Sequence, residues 1–361
     1  MLKTNQKIHQ ITYSDGQNPS PLDQLTEFSI TGQRQKLRDQ MLADMFVLKN
    51  IAIMGQWTTI YGAPNSGKTL IANWLLKEAI LSNEVDGEMV FYINADDNFR
   101  GLVEKIELAE LWGMHMIAPN HNGFMINQVS EIMARMADDG SARGAVIVLD
   151  TLKKFTDLMD KRMSTDFGII ARGFVSAGGT LIALAHTNKN PNSDGKAQYS
   201  GTSDIVDDSD CCFVIDSVSV DEKSDVTNYT LEFNNIKARG DVATKLGFSF
   251  EKKSGQQYSE LIESVEWLDK NHINEILEQT NLKKELEEDT ELIITIQELI
   301  KNGTSTKDKI VKNSHSQTGE STARIKKVLA RRTGDDYDLG HRWVKKIEAH
   351  NRHVYSVLPT P

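Results

Sequence analysis

Short apolar runs alternate with helix-like segments through the middle of the chain. The apolar runs have the length and composition of buried strands, and they occupy residues 57–61, 89–94, 145–150, 180–186 and 211–216. The segments between them place apolar residues at helical spacing, and the clearest cover residues 69–81, 127–137 and 165–177. This alternation predicts an α/β fold with a mainly parallel sheet and helices on both of its faces.

The flanking segments have different patterns. Residues 1–30 are polar and weakly periodic, which is typical of a loose arm, whereas apolar residues at helical spacing predict a helix over residues 35–48. Two strand-like runs, 229–237 and 246–252, are expected to extend the sheet as a hairpin. We interpret the later acidic run KKELEEDTEL as a solvated helix face. The predicted layout is an N-terminal arm and helix (1–44), an α/β domain (45–270), an acidic linker (271–289) and a small C-terminal domain (290–361).

The tail has the pattern of three helices followed by a hairpin. Ile293, Ile296 and Leu299 share one face of a helix that stops near Gly303, and the segments TKDKIVKN and STARIKKVLARR follow it. The runs HRWVKKIE and HVYSVL flank a short polar link, as the strands of a hairpin do. This order resembles a winged helix-turn-helix, whose third helix lies in the DNA major groove. A protein-docking winged helix is the alternative. The candidate DNA contacts in the tail are Arg324, Lys327, Arg331 and Arg342.

The charge distribution favours the DNA-binding alternative. The chain has a formal net charge of −10, which argues against a uniformly basic nucleic-acid coat. Residues 301–361, however, carry 13 Lys and Arg against 6 Asp and Glu. Basic charge is therefore concentrated in the tail, as expected for an appended nucleic-acid-binding module.

Composition narrows the class of protein. Hydrophobic content of 39% and charged content of 25% are those of an ordinary globular protein. No apolar run approaches the length of a membrane span, and the N-terminal residues lack the apolar core of a signal peptide. We therefore expect a cytoplasmic chain with no membrane partner. The only cysteines, Cys211 and Cys212, are adjacent in an apolar run, which favours buried strand residues over a disulfide framework or a four-ligand metal site.

The stretch GAPNSGKT, residues 62–69, has the spacing glycine, four residues, glycine, lysine, threonine. It follows a predicted strand and opens a predicted helix, so its backbone amides and the helix N-terminus would form a concave anion site. Lys68 would reach the β and γ phosphates of ATP, and the Thr69 hydroxyl would bind Mg²⁺. The predicted nucleotide-binding residues are Gly62, Ala63, Pro64, Asn65, Ser66, Gly67, Lys68, Thr69 and Leu70.

Candidate catalytic side chains follow other strands. Asp150 ends the run AVIVLD, at the sheet edge where ligands bind, and it would hold magnesium through water. Asp96, in FYINADD, would polarise the attacking water as a general base; for Asp97, a turn or helix-cap role is equally open. His186 ends LIALAH and precedes a polar segment, which favours a γ-phosphate sensor over a structural histidine.

Lys237 and Arg239 lie in NNIKARGD, near the end of a later predicted strand. Residues two apart project to the same side of a strand. In isolation such residues are commonly solvated. As a pair they could instead reach the nucleotide of a neighbouring subunit, as an arginine finger does.

The order of these segments resembles the RecA-like ATPase superfamily, specifically the ring helicases and most closely the plasmid RepA-type replicative helicases. The resemblance covers roughly residues 45–255, and its carriers are GAPNSGKT, FYINADD, VLDTLKKF, LAHTNK and GTSDIVDD. It implies that Lys68 and Thr69 bind ATP and Mg²⁺, that Asp150 is the second magnesium residue, and that His186 is the sensor. Lys237 and Arg239 match the K-x-R pair that DnaB-type rings place across the subunit interface.

The resemblance also implies partners and an assembly. Rings of this kind carry DNA loops in the central channel, and the matching segments are 156–166 and 187–200. Their candidate contacts to single-stranded DNA are Lys161, Arg162, Lys189 and Lys196. We therefore expect a hexameric homo-oligomer from a plasmid or other mobile element, which couples ATP hydrolysis at subunit interfaces to movement on single-stranded DNA. The tail would bind duplex DNA, and replication or recombination proteins are candidate further partners.

Two positions depart from the family pattern. The family's catalytic acid is usually Glu, and Asp96 here is one methylene shorter, which indicates a slow ATPase or one activated only by DNA. Asp210 lies near where some relatives carry an arginine, so Arg239 is the best candidate for the trans arginine. The alternative function is a non-helicase DNA-binding ATPase (a helicase loader, recombination mediator or regulator) in which ATP switches assembly. A scaffold with a vestigial site is disfavoured because every expected nucleotide-contacting position is occupied.

Overall fold

The computed structural model describes residues 20–40, 45–188, 197–223, 225–348 and 352–360. The chain divides into a unit of Met1–Asp44 and a unit of Met45–Pro361. The first unit contains α1 (Pro21–Glu27) and α2 (Arg34–Gln40). Helix α1 begins with a capping box, in which the side chains of Ser20 and Asp23 each accept a hydrogen bond from the other residue's backbone amide. Part of the predicted loose arm is therefore helical.

The second unit contains the strands and helices that position the candidate site. Within the described ranges its strands are β1 (Phe46–Leu48), β2 (Ala52–Ile53), β3 (Trp57–Gly62), β4 (Val90–Asn94), β5 (His115–Ile117), β6 (Val146–Asp150), β7 (Thr180–His186), β8 (Cys211–Lys223), β9 (Val226–Lys237), β10 (Lys245–Lys253), β11 (Glu266–Leu268), β12 (Trp343–Glu348) and β13 (Arg352–Val357). Its helices there are α3 (Lys68–Leu81), α4 (Phe99–Trp112), α5 (Gln128–Asp139), α6 (Lys161–Ser176), α7 (Asp204–Asp208), α8 (Tyr258–Glu263), α9 (Lys270–Lys301), α10 (Lys307–Thr318) and α11 (Thr322–Arg331).

The helix predicted over residues 35–48 is wrong at its C-terminal end. Val47 and Leu48 are fully buried and belong to β1, which pairs antiparallel with β2. Asn50, between the two strands, has a φ of 61°, a left-handed conformation that asparagine tolerates in turns. Tertiary burial and a tight turn therefore override the helical spacing of the apolar residues. Residues 41–44 of that prediction lie outside the described residues.

Nine of the described strands form one mixed sheet, in the order β11-β10-β9-β8-β3-β7-β6-β4-β5. The strands from β8 to β5 run parallel, and β9, β10 and β11 extend the β8 side antiparallel. Every residue of β3 and β6 is buried, which explains why these strands are continuous apolar runs. The predicted parallel centre and its antiparallel extension are confirmed.

Helices cover both faces of the sheet. Trp57 and Tyr61 project from one face of β3 into a buried cluster that also contains Met133 of α5 and Phe167 and Phe174 of α6. Helices α3, α4 and α8 contact one another and cover the opposite face, to which alternate strand residues point. The candidate site lies at the carboxyl ends of β3, β4, β6 and β7, between these helices and the sheet.

The tail is joined to the sheet by α9, one uninterrupted helix of 32 residues. Ile273, near its start, packs on Gly247 of β10, where a Cβ atom would lie 2.1 Å from Ile273 Cδ1. The predicted acidic linker is thus the interior of a helix. Asp289 within it is 2% exposed, so the acidic run is not wholly solvated as predicted.

Three helical segments and a hairpin pack together at the end of the chain. The last turns of α9 join α10, α11 and the β12–β13 hairpin around a cluster that includes Ile296, Ile310, Ile325 and Trp343. The indole Nε1 of the fully buried Trp343 donates a hydrogen bond to the Leu329 carbonyl at 2.9 Å. None of the helices in the described part of the chain combines the length and the apolar character that a bilayer span requires.

Candidate functional site

The glycine-rich loop between β3 and α3 is shaped by its small residues. A Cβ atom at Gly62 would lie 2.5 Å from Ser66 Oγ, and Gly67 has a φ of 82°, a conformation that residues with a Cβ rarely adopt. Asn65 has a φ of 60°. No described side chain caps the N-terminus of α3, so the first amides of this helix have no side-chain acceptor. The first turn of α3 therefore has backbone amides without a side-chain acceptor, as a helix N-terminus that binds an anion requires.

Thr69 and Asp150 meet at the mouth of this loop. Thr69 Oγ1 donates a hydrogen bond to Asp150 Oδ2 at 2.9 Å, and the Tyr92 hydroxyl donates to the same oxygen at 2.7 Å. Asp150 is 4% exposed. Burial, and next the charge of Asp150, raise the pKa of Tyr92 well above its ordinary value, which keeps the hydroxyl a proton donor. The carboxylate of Asp150 is thereby fixed beside the Thr69 hydroxyl.

Lys68 and His186 form the other side of the site. Lys68 is 6% exposed, and its Nζ lies 3.5 Å from His186 Nδ1. Burial lowers the pKa of Lys68, while the carboxylates of Asp150 and Asp96 oppose that shift. Burial and the charge of Lys68 lower the pKa of His186. The pair therefore consists of a buried cation and an imidazole that favours its neutral form at pH 7.

The two adjacent aspartates after β4 have different surroundings. Asp96 is exposed and lines the same cavity as the glycine-rich loop. Asp97 Oδ2 accepts a hydrogen bond from Asn94 Nδ2 at 2.7 Å and pairs with Lys105 Nζ. The N-cap of α4 is Asn98, whose side chain accepts from the Gly101 amide. Asp97 is therefore not the helix cap that the sequence left open.

These groups line one cavity of about 480 Å³. Several residues that line the cavity could not be predicted from the sequence, because they belong to other elements (β9, β10, α4 and α8) that the fold brings to the loop. Tyr229 stacks on Phe250 with ring centroids 4.7 Å apart, and a Cβ atom at Gly67 would lie 2.9 Å from Phe250 Cε1. The helical spacing around residue 105 was the one available signal for α4. The missed lining residues are Lys105, Tyr229, Phe250, Lys252, Tyr258 and Leu261.

The residues present fit a magnesium nucleotide. Ser66 Oγ is buried without a partner among the described residues, and it lies in the loop where a phosphate oxygen could accept its proton. A hydroxyl beside a carboxylate is a hard oxygen donor set, which suits Mg²⁺. The described residues contain no group of three or more His, Cys, Asp or Glu side chains able to hold a metal ion. A magnesium site built on Thr69, Asp150 and phosphate oxygens requires no such group.

Lys237 and Arg239 are engaged within their own chain. Lys237 Nζ donates to the Val206 carbonyl at 2.8 Å, and Arg239 Nη1 lies 3.4 Å from Asp210 Oδ1. Asp210 is 6% exposed and also accepts from Arg172 Nη1 at 2.8 Å. Only Arg239, with a side chain 58% exposed, extends into solvent. The trans role of this pair stays a prediction.

The candidate DNA contacts near the sheet lie at the start of α6. Lys161 and Arg162 are exposed, whereas Lys189 and Lys196 lie outside the described residues. A second cavity of about 430 Å³ lies beside them, lined by Lys153, Lys154 and Phe155, and His186 lines both cavities. The histidine therefore sits between the loop and a basic surface.

The candidate DNA contacts in the tail differ in their availability. Arg324 pairs with Glu320, and Arg331 pairs with Asp289 at 2.6 Å and with Glu285 at 3.1 Å. Arg342 lies over the Tyr337 ring at 3.9 Å. Lys327, by contrast, is exposed and forms no ion pair with the described residues. The outward basic surface predicted for α11 is thus partly neutralised by α9.

No protein-family model matches the chain, and a search of the curated proteins also gives no match.

Proposed function

We propose that this chain is a magnesium-dependent P-loop ATPase that drives a ring-forming DNA helicase. The observation that carries the proposal is the 2.9 Å hydrogen bond from Thr69 Oγ1 to Asp150 Oδ2, at the mouth of a glycine-rich loop that also holds the buried Lys68. This is the hydroxyl, acid and lysine set that P-loop enzymes use to hold a magnesium triphosphate.

Each residue has a defined part in hydrolysis. Lys68 and the backbone amides at the start of α3 bind the β and γ phosphates. Thr69 and Asp150 would hold magnesium, which would supply neutralising charge at these phosphates. Asp96 accepts a proton from the water whose oxygen attacks the γ phosphorus, while the bond from that phosphorus to the leaving oxygen of ADP breaks. His186, beside Lys68, responds to loss of the γ phosphate.

The DNA part of the proposal rests on charge and placement. His186 joins the nucleotide cavity to the cavity lined by Lys153, Lys154 and Phe155, and Lys161 and Arg162 lie at the start of the following helix. Basic residues interleaved with an aromatic ring suit single-stranded DNA. A hexameric ring with ATP at its interfaces, and Arg239 acting in trans, follows from the resemblance to ring helicases. The three helices and hairpin of the tail act as a winged helix on duplex DNA.

The test is ATP turnover and strand separation on a forked duplex. We expect Lys68→Ala to abolish both, because the buried ammonium that binds the phosphates is lost. Lys49→Ala, an exposed lysine outside the cavity, is the matched control and should retain both activities. Full unwinding by Lys68→Ala would refute the proposal.

A second function is favoured by one observation. Asp96 is shorter than the glutamate of ring helicases, and its carboxylate is exposed at the cavity rim. The second function is a DNA-binding ATPase (a helicase loader, recombination mediator or regulator) in which ATP switches assembly and does not drive translocation. DNA-stimulated turnover without unwinding, together with ATP-dependent oligomerisation in ultracentrifugation, would favour the switch over the helicase.

A further inference from the structure

Lys105 is a buried cation in the nucleotide cavity to which the proposed mechanism gives no part. It lies on α4, is 8% exposed and lines the cavity together with Lys68, Asp96 and Asp150. Its Nζ pairs with Asp97 and lies 5.3 Å from the centre of the Tyr258 ring. Lysine is seldom buried unless it is paired, so the placement of Lys105 follows from its partner.

Asp97 is held from two directions. It accepts from Asn94 Nδ2 at 2.7 Å as well as pairing with Lys105, and its side chain is 30% exposed. The carboxylate of Asp96, next to it, has no side-chain partner among the described residues. The two adjacent acids therefore differ. Asp97 is paired with a cation and held in place, whereas the Asp96 carboxylate is available to act as a base.

Tyr258 links Lys105 to helix α3. Its hydroxyl accepts a hydrogen bond from Asn73 Nδ2 of α3 at 3.1 Å, and the face of its ring lies under the Lys105 ammonium, a favourable cation–π geometry. Helix α8 thereby connects the helix that begins at Lys68 with the helix that carries Lys105. Burial is the main cause of the lowered pKa of Lys68, and the charge of Lys105 adds to it.

We propose that Lys105 is a positioning residue for the nucleotide: it cancels the charge of Asp97, so that the cavity accepts a polyanionic triphosphate and Asp96 alone serves as the base. This inference rests on the proposed ATPase function. With Lys105 paired, Asp96 and Asp150 face the charge of Lys68 and of the bound magnesium. Without Lys105, Asp97 becomes an acid with no paired cation beside the phosphates, and like charges repel strongly in a partly buried site.

The experiment is a double-mutant cycle on Lys105 and Asp97 in the full chain. Isothermal titration calorimetry measures the affinity of each variant for the magnesium complex of AMP-PNP. We expect Lys105→Met to weaken binding about tenfold or more, and the double variant Lys105→Met with Asp97→Asn to return to within about threefold of the wild type. Asp97→Asn alone leaves an unpaired cation and should bind as tightly as the wild type or more tightly. Lys105→Arg keeps the charge and should bind within about threefold.

A purely structural role for Lys105 predicts a different pattern. If Lys105 acted only through packing, the double variant would bind AMP-PNP at least as weakly as Lys105→Met. Raising the salt concentration would then leave the differences in affinity between the variants unchanged. In turnover assays, Lys105→Met should raise KM, whereas Asp96→Asn should lower kcat by a factor of about 10² to 10⁴ while still binding AMP-PNP.

Three results would overturn the inference: a double variant as weak as Lys105→Met, differences that salt leaves unchanged, or an Asp97→Asn variant that binds more than threefold more weakly than the wild type. The last result is decisive even where Lys105→Met does not fold. A wild-type chain that fails to bind AMP-PNP refutes the proposed function and this inference together. Binding without the charge pattern refutes the inference alone.

Discussion

Replacing Asp289 by Asn should detach the tail helices from α9. Asp289 Oδ2 accepts from Arg332 Nε at 3.0 Å, from Arg332 Nη2 at 2.8 Å and from Arg331 Nη2 at 2.6 Å. The Arg332 side chain is 1% exposed and that of Asp289 is 3% exposed. The substitution leaves a buried guanidinium whose remaining acidic partner is Glu285, at 3.5 Å. Removing one member of a buried ion pair costs about 3–5 kcal/mol.

Native-state hydrogen exchange of the full chain measures this cost locally. A loss of about 3–5 kcal/mol lowers amide protection in α10 and α11 by roughly 10² to 10⁴, since about 1.4 kcal/mol corresponds to a factor of ten. The control is Glu285→Gln, whose side chain is 43% exposed and which should cost less than about 1 kcal/mol. Protection in Asp289→Asn within threefold of the wild type would refute the reasoning that the buried Asp289–Arg332 pair holds α10 and α11 to α9.

Three further variants test the loop, the histidine and the tail surface. Gly67→Ala should weaken AMP-PNP binding at least tenfold, since a Cβ atom there would lie 2.9 Å from Phe250. The control is Gly140→Ala, where φ is 81° and a Cβ atom would have no neighbour within 4 Å; it should share the backbone strain but keep its affinity for AMP-PNP. The folded chain lowers the pKa of His186, so the unfolded chain binds a proton at this residue more readily. The free energy of unfolding should therefore fall as the pH drops below about 6.5. Between pH 7.5 and 5.5, the Tm should fall less in His186→Gln than in the wild type. Lys327→Ala should reduce the salt dependence of duplex affinity by about one counterion, while Arg331→Ala should leave it unchanged.

The strands and the glycine-rich loop before α3 could be predicted because their signals are local. A buried parallel strand is a continuous apolar run, as in β6, and a glycine-rich turn before an amphipathic helix is readable within a dozen residues. Thr69 and Asp150, 81 residues apart, were placed at one sheet edge by the rule that parallel strands share their carboxyl ends, and they do form a hydrogen bond.

The remainder depends on contacts that no local pattern encodes. Phe250 and Tyr229 reach the cavity because β9 and β10 fold back beside β8, and Asp97 departs from a helix-cap role because Asn98 takes that position. Arg331 looked outward on a helical wheel, yet a neighbouring helix supplies Asp289 against it. Pairing between distant charges follows from packing, which periodicity alone does not specify.

The unbroken helix α9 makes the orientation of the tail a question of helical phase. Its 32 residues span about 48 Å, and each residue turns the chain by about 100°. Inserting one residue between Ile273 and Asp289 would therefore rotate the tail by roughly a quarter of a circle relative to the sheet, whereas inserting seven would nearly restore its direction and move it about 10 Å outward. Phase and length thus become separate variables, through which the geometry between the sheet and the tail can be adjusted without altering the packing within either one.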